Sequence, residues 1–63
     1  MYSNNLKKLR IKRYMTLKQL SSITGLTCGY LSLLERGGRT NPSLSTMRKI
    51  ADALECEIKD VFG

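Results

Sequence analysis

The sequence predicts an all-α domain of five helices, and three observations carry that expectation. No segment shows the apolar–polar alternation of a half-buried strand. Residues 16–36, TLKQLSSITGLTCGYLSLLER, carry helix start and stop signals twice in close succession. Residues 44–54 repeat apolar side chains at helical spacing.

Taken in order, Ser3 or Asn4 starts the first helix, which runs to about Arg13. Leu6 and Leu9, with Arg13 or Tyr14, share one side and lysines the other. KKLRIKR can also be read as a basic membrane or localisation segment, but Leu6, Leu9 and Ile11 make too small an apolar face for stable membrane binding. Tyr14 and Met15 link to the second helix, with Met15 packing inward. Thr16 caps that helix, and Gln19 three residues on completes a capping box. Leu20, Ser21 and Thr24 form one stripe, and Gly25 ends the helix in a left-handed conformation. Leu26 points back inward, Thr27 caps the third helix, and Leu31 and Leu34 continue the inward face. Helix, glycine turn, capped helix is the helix-turn-helix signature, in which the second helix is placed to enter a DNA groove.

Gly37 and Gly38 end the third helix, and Arg39, Thr40 and Asn41 form an exposed basic and polar loop. Pro42 and Ser43 open the fourth helix with Ser43 as N-cap. Leu44, Met47, Ile50, Ala51 and Leu54 are its apolar stripe. Glu55 and Cys56 turn the chain, and Ile58, Val61 and Phe62 form one face of a short last helix.

Length and composition narrow the function classes. Sixty-three residues make one domain, residues 1–63, near the lower size limit for folding alone. There is no histidine, and Cys28 and Cys56 form no CxxC pair, so neither a metal nor a cofactor is expected. The missing histidine also removes the commonest general base, and no enzyme is expected. No apolar run exceeds two residues, so nothing is expected to span a membrane. Two cysteines without an apolar N-terminal export segment point to a reducing cytoplasm.

The net charge is +6, and its distribution says more than its total. Lys7, Lys8, Arg10, Lys12, Arg13 and Lys18 lie within residues 1–34, which hold no acid, while residues 35–63 are balanced. A solvated face that keeps the chain soluble is the plain reading. A footprint for phosphates is the stronger one, because the two-helix motif occupies the same half.

LRIKR, MTLKQLSSITGLTCGYLSLLERG, the TNPSL linker and KIADALECEIKDVF together resemble the Xre family of Cro/repressor-type helix-turn-helix proteins, over roughly residues 5–62. YLSLLERGGRTNPS looks most like small bacterial regulators of cell-state transitions. The resemblance implies a five-helix lambda-repressor-like DNA-binding domain. It implies that Arg10 and Glu35 form a largely buried ion pair between the first and third helices, rather than two ordinary surface charges. Glu35 is the only acid in the first 51 residues, so losing either partner strands a charge. Thr27, Cys28, Gly29, Ser32 and Leu33 match positions that face base edges. Thr16, Leu17, Arg39, Thr40 and Asn41 match positions that face phosphates, and Lys18, Tyr30 and Arg36 join that set. Tyr30 can instead cover the core edge beside Leu31 and Leu34.

Two departures stand out. Cys28, Gly29 and Leu33 occupy places where relatives often carry glutamine, lysine, arginine or serine, so no bidentate base contact is available. Leu17 sits where many relatives carry a phosphate-binding glutamine. Specificity then rests on Ser32, Arg36, Arg39 and DNA shape, or it is low. The alternative is a protein-interaction module, antirepressor-like or antitoxin-like, with Leu33, Leu17 and Ile23 as apolar contact points. Cys28 can be a thiol sensor, though a small side chain facing DNA is simpler. Cys56 is expected to be buried between the last two helices.

The partner expected is double-stranded DNA, bound by a homodimer on half-sites one turn apart, with any protein antagonist unknown. With no oligomerisation segment after residue 63, the last helix is the expected dimer contact. Val61 is the better interface candidate, and Ile58 and Phe62 mostly close the core. The reading is a nucleoid-associated cytoplasmic repressor of bacterial or phage type, acting by operator occupancy.

Overall fold

The computed structural model describes residues 4–37 and 41–63. Among them the helices are α1 (Leu6–Lys12), α2 (Leu17–Thr24), α3 (Cys28–Glu35), α4 (Leu44–Ala53) and α5 (Ile58–Phe62), and no strand is present. α2 packs on α3 and α4, α1 on α3 and α5, and α4 on α5. Each helix supplies the core, with Leu6, Leu20, Leu31, Leu34, Ile50, Ala51 and Val61 joined by Leu54 at the α4 C-cap. Burying a leucine, isoleucine or valine contributes about 1.5–3 kcal/mol, so a handful of side chains holds the domain.

The capping residues act where the sequence places them. Thr16 Oγ1 accepts from the Gln19 N–H at 3.0 Å, and Gln19 Oε1 accepts from the Thr16 N–H at 2.9 Å. Thr16→Ala is expected to lower stability by about 1 kcal/mol, or about 4–8 °C of melting temperature. An unchanged thermal transition would show that the box contributes nothing. Gly25 ends α2 at φ 78°, the left-handed geometry that glycine adopts without a Cβ penalty. The turn is stitched by Thr24, whose hydroxyl donates to Leu20 O at 2.8 Å and accepts from the Leu26 N–H at 3.2 Å. The Ser21 hydroxyl donates to Leu26 O. Thr27 and Ser43 cap α3 and α4, accepting from the Tyr30 and Thr46 N–H groups at 3.1 Å each.

Several expectations change. α1 begins at Leu6, with Asn5 at the N-cap and Asn4 Oδ1 accepting from the Leu6 N–H at 2.8 Å; Ser3 lies outside the described residues. Tyr14 is 94% exposed rather than inward, because it adopts φ 56° just past the α1 C-cap. There its N–H donates to Ile11 O while that of Met15 donates to Arg10 O, a Schellman ending made without glycine. Glu55, at φ 55°, ends α4 the same way, its N–H on Asp52 O and that of Cys56 on Ala51 O. Leu44 is 68% exposed, since it opens α4 at the edge of the stripe centred on Met47, Ile50, Ala51 and Leu54.

A further change reverses the roles on α5. Val61 is completely buried, whereas Ile58 and Phe62 are half-buried at the core margin. Val61 joins the core cluster, and the start of α1 is bonded to the backbone beside it. The Asn5 N–H donates to Val61 O at 2.9 Å and Asn5 Nδ2 to Asp60 O at 3.1 Å. Cys56 is half-buried against the core rather than fully enclosed. Burial pushes its thiol pKa up, Asp60 adds to the shift and Arg13 opposes it.

Candidate nucleic-acid interface

α3 is held from behind by polar groups as well as by Leu31 and Leu34. Arg10 Nε donates to Glu35 Oε2 at 2.5 Å, Nη2 to Glu35 Oε1 at 3.3 Å and Nη1 to Met15 O at 2.6 Å. The two charged side chains are only 12% and 6% exposed. One guanidinium therefore fastens α1, the α1–α2 link and the C-terminal end of α3. Asn4 Nδ2 adds a bond to Leu34 O at 2.8 Å, a helix-end carbonyl that also accepts from the Gly37 N–H at 3.0 Å.

The opposite side of α3 faces solvent. Thr27, Cys28 and Gly29 are exposed, Ser32 and Leu33 half-buried, and Arg36 at the C-cap exposed. Residues four apart share a face, which sets Ser32 behind Cys28 and Leu33 behind Gly29. Tyr30 is half-buried and packed against the core, so it covers the core edge. At the start of α2, Thr16 and Lys18 are exposed, whereas Leu17 is half-buried and packs on the core. Asn41 is exposed; Arg39 and Thr40, the other loop positions, lie outside the described residues.

The unbalanced bases lie on or beside α1 and α2, and one of them, Arg13, reaches the acids of the C-terminal half. Lys7, Lys8, Lys12 and Lys18 are exposed and form no ion pair among the described residues. Arg13 pairs with Glu55 at 3.6 Å, and Lys59 lies 3.9 Å from Glu57. The acids Asp52, Glu55, Glu57 and Asp60 belong to α4, α5 and the turn between them. The Asn4 and Asn5 tethers carry no sequence signal: Asn4 reads only as an alternative to Ser3 for starting the first helix, and Asn5 has no assigned role. Met15 O was hidden as well, because a backbone acceptor carries no sequence signal.

Two capped helices joined at a left-handed glycine, the second clear of the core on one side, define a helix-turn-helix domain. The chain belongs to the HTH_3 helix-turn-helix family, of Xre type, whose model matches residues 6–61. It is 36% identical over 53 residues to the HTH-type transcriptional regulator SlrR of Bacillus subtilis (strain 168), covering 84% of this chain and 35% of SlrR. It is 38% identical over 58 residues to the immunity repressor protein of Bacillus phage phi105, covering 92% of this chain and 40% of that protein. The chain thus spans well under half the length of either relative. The structure resembles the restriction-modification controller protein C.AhdI from Aeromonas hydrophila, with TM-score 0.81, 32% identity and coverage of 89% and 83% of the two chains.

Proposed function

We propose that this domain is a transcriptional regulator that binds double-stranded DNA sequence-specifically and represses by occupying its operator. The observation that carries the reading is α3 itself. It is locked from behind by the buried Arg10–Glu35 pair and presents Thr27, Cys28, Gly29, Ser32 and Leu33 outward from its capped end. Those residues enter the major groove. Thr16, Lys18, Arg36 and Asn41 meet phosphates, with Arg39 and Thr40 in the neighbouring loop completing the set. Leu17 supports α2 from the core side, and Tyr30 supports α3. The relatives named as regulators and as a phage repressor support the same role.

Binding as a homodimer follows from half-sites about 34–36 Å apart. The domain measures 26 × 22 × 20 Å between Cα extremes, so two copies with their side chains are near neighbours at that spacing. With Val61 enclosed, the outer sides of Ile58 and Phe62 become the α5 contact. No helix among the described residues is long and apolar enough to cross a membrane. The proposed place of action is the bacterial cytoplasm, on the nucleoid.

Fluorescence anisotropy against a random duplex pool at two salt concentrations, with selection of the bound fraction, tests the reading. Salt-dependent binding with an enriched two-fold symmetric motif is expected; no binding at low salt rejects it. Arg36→Ala should weaken binding to all duplexes alike and reduce the salt slope by about 1. An unchanged slope removes Arg36 from the phosphate set. A protein-interaction module is the second reading, favoured by Ile23, which is 59% exposed and lines a shallow groove with Tyr14 and Met15. Leu17 is half-buried against the core and offers less to a partner.

A further inference from the structure

Base edges in the major groove are usually read by side chains that present two hydrogen-bonding atoms in a fixed plane. The outward side of α3 has none along its length. Cys28, Gly29, Ser32 and Leu33 cannot make such a contact, and Thr27 Oγ1 already accepts from the Tyr30 N–H. Arg36 stands at the far end, about 12 Å along the axis from Cys28.

Gly29 has no purpose inside the fold. It lies within a helix, its φ is not positive, and a Cβ built on it meets nothing within 4 Å. Glycine at such a position weakens the helix relative to alanine. Leu33, one turn on, is the leucine of α3 that does not join the core packing. Bare backbone at Gly29 leaves the approach to Leu33, one turn along on the same side, clear of any side chain at that position. The apolar group on major-groove base edges is the thymine 5-methyl.

We propose that α3 reads thymine 5-methyl groups by packing rather than by hydrogen bonding, with Gly29 giving the clearance and Leu33 the wall. The inference rests on the DNA-binding reading and specifies what that surface recognises.

The test uses duplexes enriched from the random pool, remade with deoxyuridine in place of thymidine at one position at a time. Removing a contacted methyl should weaken binding about fourfold, while the salt slope stays the same. Positions outside the motif should show no change. Gly29→Ala should melt at a higher temperature than the unmodified protein, bind the thymine duplex several-fold more weakly and lose the discrimination against uracil. Equal affinity for thymine and uracil duplexes, with a steep salt slope, overturns the methyl readout and leaves the DNA-binding reading standing. Gly29→Ala binding as tightly as the unmodified protein overturns the role of Gly29. Selection that enriches no motif overturns the proposal, and failure to bind any duplex at low salt overturns both readings.

Discussion

Glu35→Ala should lower the stability of the domain by about 3–5 kcal/mol, measured by urea unfolding. The substitution strands the Arg10 guanidinium, which is 12% exposed and keeps only its bond to Met15 O. Domains of ordinary size are stable by about 5–15 kcal/mol, and one this small belongs near the bottom of that range. The variant should therefore be largely unfolded at growth temperature. Arg10→Met combined with Glu35→Leu should recover much of the loss, because no charge is then buried without a partner. A Glu35→Ala midpoint equal to that of the unmodified protein would mean that the pair adds nothing.

Val61→Asp should abolish folding, read as loss of the helical signal in far-ultraviolet circular dichroism. A carboxylate there has no cation to pair with in a core of leucine, isoleucine and alanine, and an unpaired buried charge costs several kcal/mol. Phe62→Asp should remain folded, since Phe62 is only half-buried. The contrast separates the two roles on α5. Were Val61 a dimer contact, its aspartate variant would be a folded monomer by sedimentation, with Phe62→Asp the more damaging change.

The parts of the fold legible in the sequence are those governed by local chemistry. Thr16 with Gln19, Gly25, Thr27 and Ser43 each act on backbone groups within four residues, and all four helix boundaries they mark are present. Tyr14 and Glu55 were illegible for the converse reason. Each takes the left-handed conformation that glycine would advertise, and each is held there by Schellman bonds back into the preceding helix. On α5, periodicity grouped Ile58, Val61 and Phe62 on one face but could not rank them. The ranking depends on packing against residues as distant in sequence as Leu6, which share the core with Val61. Arg10 and Glu35 were legible as a pair through the family resemblance, and the scarcity of acids in the first 51 residues agrees with it. The outward residues of α3 could be named by position, but the empty space beside Gly29 became visible only in three dimensions.

The bonds from Asn4 and Asn5 bring the start and finish of the domain to one corner, beside the C-terminal end of α3. Any chain joined before Asn4 or after Gly63 therefore departs from the same place, about 12 Å along α3 from the Cys28–Gly29 end. Cargo attached on either side is carried clear of the first turn of α3. Two copies fused in tandem across one DNA turn need a tether of at least about 10 extended residues.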